Sequence, residues 1–323
     1  MPGGGSLFPD SAPVPVFGAG AALSEEQAGG MRGGYFMTRF PGEAHEQPIF
    51  SVGQAYWNQR QRLAERRSEL EQLHEAVGHP GDLWLCQFAQ FYATALEFQP
   101  DMIVELGRGW GNSTAAFLAA IDALGEGARL VSLCRSREWR TVTRRLLEDM
   151  KPEGWFEPLE HVEAEIPTID VKGRLKGGKR VLVLWDAHGY DVAEVVLARI
   201  MPMIAERPHL VIMHDIQDDR YHRAPARLCE EKGIWRSHEG HQHHIKIGHF
   251  SSAVEQMISA LDFLTRNGAH LESADHEIHR EIASRPEREE EMKRLGGLYG
   301  EACWCYFSLN EVSGPFTFPK WRG

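Results

Sequence analysis

The fold the sequence predicts is doubly wound α/β: a mostly parallel sheet of about seven strands, with a late antiparallel strand and N-terminal helices. Three observations carry this expectation. Short apolar runs alternate with helical patterns between about residues 100 and 215, a glycine-rich break follows the first run, and the pattern changes after about residue 250. Strands alternating with helices imply parallel pairing with helices on both faces. Ligands on such sheets bind outside the carboxyl ends of the strands, so the residues that follow each strand matter most.

Residues 1–48 are rich in Gly, Pro and Ala without a sustained period, and read as a disordered tail. Residues 49–99 form a helical segment. Gln54 to Val77 is a charged helix with Leu63, Leu70, Leu73 and Val77 on one side, and "GHPGD" stops it. Leu83 to Phe98 then places Trp84, Phe88, Phe91, Tyr92 and Ala95 at helical spacing. That face suits either a core or an interface between copies of the chain, so homo-oligomers stay open. Residues 100–250 hold the binding core, with strands at 102–106, 129–134, 161–166, 181–185 and 209–213. Helices fit at 112–124, 137–150 and 191–205, the last with Asp191 and Glu194 as a capping box. Residues 251–323 complete the same domain. "SAVEQMISALDFL" is a helix opened by Ser252 and Glu255, with Val254, Met257, Ile258 and Leu261 inward. "EIHREIASRPEREEEMKRL" is a charged helix or helix pair, and "CWCYFSLN" is the late strand.

Composition narrows the function. A chain of 323 residues with 42% hydrophobic and 25% charged residues is long enough for a large core. The net charge of -11 argues against a nucleic-acid partner, and the basic run Arg135 to Arg145 reads as a solvated helix face. No apolar run approaches the ~18 residues of a membrane span, and no secretory signal opens the chain. A soluble, cytoplasmic protein with no membrane partner is the expectation. Cys86, Cys134, Cys229, Cys303 and Cys305 show no disulfide spacing and read as reduced core residues, with the "CWC" pair on one face of a strand.

The stretch "VELGRGWGNST", Val104 to Thr114, asks which ligand its glycines admit. A Walker loop needs a lysine that this turn lacks. The dinucleotide fingerprint needs a small residue where Asn112 stands, and an acidic residue where the second strand runs into "LCRS". Glu105, just before the turn, would repel a pyrophosphate but suits a ligand with an ammonium and a sulfonium. "ELGRGWG" resembles the first motif of the class I S-adenosylmethionine-dependent methyltransferases, E/D-x-G-x-G-x-G, at Glu105, Gly107, Gly109 and Gly111. The resemblance implies a Rossmann-like sheet and places Glu105 near the methionine amino group. Gly107 and Gly109 would let the cofactor approach backbone, and Asn112 and Ser113 would cap the next helix and touch the carboxylate. The acidic ribose ligand usual after the second strand is replaced by Cys134, Arg135 and Ser136, so Cys134 and Ser136 become the cofactor-side residues there.

The fourth strand runs into "WDAHGYD" and the fifth into "MHDIQDD", which open on the same sheet edge. Two carboxylates and a third ligand suit a divalent ion, magnesium first. The pair is similar to the metal-dependent O-methyltransferases that include the cephalosporin-hydroxylase-like and macrolide-sugar enzymes. That similarity spans about residues 100–220 and implies Asp186, His214 and Asp215 as metal ligands. His188 is the expected general base, with His214 second if it is not a ligand. Asp218 and Asp219 read as a solvated loop, and Tyr190 as packing. Five histidines between His238 and His249 read as an acceptor-side loop. The expected function is S-adenosylmethionine-dependent O-methylation of a small hydroxylated molecule, such as a sugar or secondary metabolite. Two alternatives stay open: a nicotinamide-dependent oxidoreductase, and an inactive methyltransferase-like binding protein suggested by Cys134 and His214.

Overall fold

The computed structural model describes residues 50–125, 127–215 and 241–321, without the side chains of 241–252. The expected tail, Asp218, Asp219 and Cys229 lie outside the described residues, as do the side chains of the histidine-rich segment.

Three short helices come first among the described residues: α1 (Val52–Asn58), α2 (Arg60–Glu65) and α3 (Arg67–Val77). One continuous helix was expected, and the breaks at Gln59 and Arg66 have a geometric reason. Tyr56, Leu63, Leu70 and Val77 recur every seven residues and all are buried. On a straight helix a strict heptad drifts about 20° per repeat. Breaks at Gln59 and Arg66, themselves seven apart, keep the row against the core. Gly78 ends α3 in the left-handed conformation, as the "GHPGD" stretch suggested. Helix α4 (Leu85–Phe98) follows, almost wholly buried, with Trp84 as its N-cap and 37% exposed rather than packed.

The sheet and its helices then alternate: β1 (Met102–Leu106), α5 (Asn112–Leu124), β2 (Arg129–Cys134), α6 (Arg144–Glu148), β3 (Leu159–Glu163), α7 (Val171–Arg174), β4 (Val181–Trp185), α8 (Tyr190–Val195), α9 (Met201–Ile204) and β5 (His209–Met213). A π-helical turn, Trp139–Thr143, precedes α6, and another, Val196–Ile200, joins α8 to α9. The remainder is α10 (His241–Arg266), β6 (Glu272–Ser273), α11 (Ala274–Ile278), α12 (Pro286–Lys293) and β7 (Cys305–Phe307). Strand order is β3-β2-β1-β4-β5-β7-β6, parallel through the first five, with β7 antiparallel to β5 and to β6. The expected doubly wound α/β fold, with its late antiparallel strand, is therefore observed. None of the described helices is long and apolar enough to cross a membrane.

Alternation along the strands builds a core on each face. Ile103, Leu182, Leu184 and Ile212 pack with α4 and α5, while Val104, Val183, Trp185 and Met213 pack toward α8, α9 and α10. Each fully buried side chain of this size contributes about 1.5–3 kcal/mol. In register, Leu106 lies beside Leu133 and Trp185, and Trp185 beside Met213. The segments that leave β1, β2, β4 and β5 therefore emerge along one edge.

Several local expectations need correction. The third strand is Leu159–Glu163, not 161–166, because its pairing with β2 begins at Leu159 opposite Leu130. Helix α8 starts at Tyr190 with Gly189 as N-cap, so Asp191 and Glu194 form no capping box. Its first amide instead donates to Glu255 Oε2 on α10, at 3.3 Å. Helix α10 starts at His241, so no cap stands at Ser252. Its inward face is Ala253, Gln256, Ala260, Phe263 and Leu264, while Val254 and Ile258 are exposed. Tyr190 is exposed and does not pack. Cys303 precedes β7 with a positive φ of 55° and shares no strand with the buried Cys305. Among the described residues, Cys86, Cys134, Cys303 and Cys305 form no disulfide with one another.

Candidate functional site

The turn after β1 holds three glycines at positive φ: Gly107 at 99°, Gly109 at 52° and Gly111 at 100°. They are there for different reasons. A Cβ on Gly107 would collide with the Asp186 carbonyl of the neighbouring strand end, and one on Gly111 with the Trp139 ring. Gly109 faces open space, with Asp82 Oδ2 nearest at 3.7 Å. Packing thus requires two of the glycines, and only Gly109 leaves its Cβ side clear for a ligand. The Gly111 amide donates to the Arg108 carbonyl at 2.8 Å and closes the turn.

Glu105 lies beneath this turn, fully buried, and is not in the cleft where a methionine amino group was expected to meet it. Strand alternation points it at α5. There Ser113 Oγ donates to its Oε1 at 2.5 Å and Thr114 Oγ1 to its Oε2 at 2.6 Å, and Ser132 Oγ also donates to Oε2. Burial raises its pKa above the usual carboxylate range, while the three hydroxyls and the charge of Arg108 pull it down. Arg108, which sequence reasoning missed, is equally buried. Its Nη1 donates to the Ser132 carbonyl and to Ser132 Oγ, both at 3.0 Å. Desolvation lowers its pKa, against the pull of Glu105. An arginine inside a glycine turn is the signal that could have found it. Asn112 and Ser113 are helical and do not cap α5, whose N-cap is Gly111. Asn112 Nδ2 donates to the His79 carbonyl at 2.9 Å, and the His79 ring stacks on Trp110 with centroids 3.5 Å apart. These contacts tie the loop before α4 to the turn.

A cleft of about 490 Å³ opens on this edge, lined by the glycine turn, Asp82, Cys134, Glu165, Asp186, His188 and Asp215 among others. Asp186, His188 and Asp215 each offer a ligand atom, and those atoms lie within 4.8 Å of one another. Two ligands opposite each other on an ion with bonds of 2.0–2.6 Å stand roughly 4–5 Å apart, so this set fits a divalent cation. Asp215 has a positive φ of 59°, an uncommon conformation that an aspartate tolerates and that recurs at functional sites.

The histidines are arranged differently from expectation. His214 is 2% exposed, behind the carboxylates and not lining the cleft, with its ring edge-on to Phe91. Its Nδ1 stands 3.1 Å from Asp186 Oδ1 and 3.4 Å from Asp215 Oδ1, so it bridges the pair from below. His188, expected as the general base, is the histidine that offers a ligand atom beside Asp186 and Asp215. His188 is held in turn by Gln256, which the sequence did not single out. At the β2 end, Cys134 lines the cleft, and Ser136 Oγ donates to the Gly109 carbonyl at 2.9 Å. The acid there comes from beyond β3: Glu165 borders the cleft and pairs with Arg135 at 3.0 Å.

No protein-family model and no curated protein matches the chain. Among solved structures it is similar to an SAH-bound methyltransferase of Podospora anserina, at 14% identity and TM-score 0.41, covering 71% of this chain and 84% of that one. It is also similar to an O-methyltransferase of Streptomyces achromogenes involved in tomaymycin synthesis, in complex with SAM, at 18% identity and TM-score 0.38, covering 62% and 81%. A putative caffeoyl-CoA O-methyltransferase of Staphylococcus aureus matches at 13% identity and TM-score 0.38, covering 57% and 75%. At such low identity and partial superposition, the chemistry is read from the site's own residues.

Proposed function

We propose that the protein is an S-adenosylmethionine-dependent O-methyltransferase, assisted by a divalent ion and acting on a small hydroxylated molecule. The observation that carries this reading is the convergence of Asp186, His188 and Asp215 in the same cleft as the glycine turn. The charge balance supports it. Four carboxylates (Asp82, Glu165, Asp186 and Asp215) border the cleft against two guanidiniums, Arg108 and Arg135. An acidic cleft favours a sulfonium, an ammonium and a metal cation, and opposes the pyrophosphate of a nicotinamide dinucleotide.

Individual residues have definite tasks in this reading. Gly109 leaves the space that a cofactor would occupy against the turn. Ser113 lines the cleft with its hydroxyl hydrogen committed to Glu105, so its oxygen presents lone pairs to an ammonium. Glu105 then acts through Ser113 rather than by touching the ligand. Asp186, His188 and Asp215 would hold the ion, and His214 orients the two carboxylates. When bound, S-adenosylmethionine supplies the methyl group and the ion lowers the pKa of the acceptor hydroxyl. The imidazole donor suits manganese, iron or zinc better than the magnesium first expected.

Calorimetry with S-adenosylhomocysteine and with NADH, followed by transfer of labelled methyl to a panel of hydroxylated acceptors with Mn²⁺, Mg²⁺ or EDTA, tests the proposal. Binding of S-adenosylhomocysteine alone, with turnover lost in EDTA, is expected. Tight NADH binding without S-adenosylhomocysteine binding would sink it, and turnover indifferent to EDTA would remove the ion from it.

A further inference from the structure

We propose that Gln256 is a positioning residue that fixes which nitrogen of His188 serves the cleft, a role that rests on Asp186, His188 and Asp215 being the ion site. Gln256 is fully buried on α10, a polar residue in the middle of a face otherwise made of Ala253, Ala260, Phe263 and Leu264. A buried amide is costly unless its groups are hydrogen-bonded, and here they are. Its Nε2 donates to the Trp185 carbonyl at 3.0 Å, and its Oε1 stands 2.5 Å from His188 Nδ1.

The direction of this chain of bonds is determined by chemistry. A backbone carbonyl can only accept, so the amide nitrogen must face Trp185. Turning the amide over would set two acceptor oxygens against each other. With Nε2 toward Trp185, the amide oxygen faces His188, and it too can only accept. His188 Nδ1 must therefore carry a hydrogen. A neutral imidazole has a single N–H, so Nε2 is the nitrogen with the lone pair, the form a metal ligand needs. Trp185 is the last residue of β4 and Asp186 the next, so one side chain ties the ring of one ligand to the backbone that carries another. Partners that orient a ligating histidine in this way typically account for 10–100-fold in metal affinity.

Three proteins test the inference: the native full-length chain, Gln256→Met and Gln256→Glu. Met keeps the volume without an amide, whereas a protonated Glu restores both the acceptor for His188 and the donor for Trp185. Long-range ¹H–¹⁵N spectra of the imidazoles, recorded without ion or cofactor and assigned by loss of signal in His188→Gln, report the tautomer. Titration with Mn²⁺ alone, followed by electron paramagnetic resonance, reports affinity. The native ring should be protonated at Nδ1. Gln256→Met should populate the Nε2–H form and bind Mn²⁺ about 10–100-fold more weakly, with Gln256→Glu close to native. A native ring protonated at Nε2 overturns the inference, even if Gln256→Met does not fold. So does a folded Gln256→Met protein with native tautomer and native Mn²⁺ affinity. Failure of the native protein to bind Mn²⁺ would instead overturn the ion site, leaving the tautomer spectra to decide the positioning separately.

Discussion

At Glu105, desolvation and three hydroxyl donors act in opposite directions on one carboxylate, and Arg108 beside it carries the balancing charge. Burial favours the neutral acid, so a neutral isostere should be tolerated. Glu105→Gln is expected to stay folded and cost about 1 kcal/mol, the scale of one altered hydrogen bond. Glu105→Leu also leaves three buried hydroxyls without their acceptor and should cost about 3–5 kcal/mol. Urea unfolding of both variants distinguishes them, and equal costs would mean that the hydroxyl bonds to this side chain are not what holds the turn. The glycines separate in the same way. Gly107→Ala forces a methyl against the Asp186 carbonyl and should weaken the fold and ion binding together. Gly109→Ala meets open space and pays only for its positive φ, about 1 kcal/mol, so its loss should appear in S-adenosylhomocysteine affinity. A Gly109→Ala protein with native affinity would show that the cofactor does not approach this turn.

β7 depends on a buried histidine for its place beside β5. His209 Nδ1 donates to the Arg207 carbonyl at 2.8 Å, and its Nε2 accepts the Leu309 amide at 2.9 Å, just beyond the end of β7. The bond accepted by Nε2 needs the neutral ring, and burial lowers its pKa below the ordinary value. Because the folded pKa is depressed, the stability His209 contributes is complete above the unfolded value, about 6.5. It is lost as pH falls below that, by at most about 1.4 kcal/mol per pH unit. His74 and His161, also lowered mainly by burial, act in the same direction. Unfolding free energies measured from pH 8 to pH 5 should therefore decline, and His209→Gln should be less stable at pH 8 with a shallower decline. An unchanged slope would count against His209. This element also shows what sequence could reveal. Four of the five parallel strands were legible to the residue, because runs such as "VLVLW" are buried on both faces and bounded by turns. The face of α10 was not, because Val254 and Ile258 suggest a core while the buried position falls to Gln256, whose partner lies 71 residues away at Trp185. At the site, Asp186 and Asp215 were legible as strand ends. Where His188 and His214 stand relative to those carboxylates was not, since it depends on which side of the sheet edge each ring takes.

The whole molecule should register both ligands as separate increments of stability. Anything that binds only the folded state stabilises it by RT ln(1 + [L]/Kd), about 2.7 kcal/mol at a hundredfold excess over Kd. In a domain of this size each kcal/mol moves the unfolding midpoint by about 2 °C, so a shift of about 5 °C is expected from either ligand at that excess. The turn with Ser113 and the carboxylates beyond β4 and β5 line one cleft but share no residue, so S-adenosylhomocysteine and Mn²⁺ should shift the midpoint nearly additively. Asp186→Asn should abolish the Mn²⁺ increment and keep most of that from S-adenosylhomocysteine, and Asp215→Asn should do the same. Thermal scans with each ligand, both, and EDTA provide the comparison. A Mn²⁺ increment that survives both substitutions would place the ion elsewhere in the protein. Loss of both increments in Asp186→Asn would instead mean that the strand end and the turn, in contact through Gly107, bind as one unit.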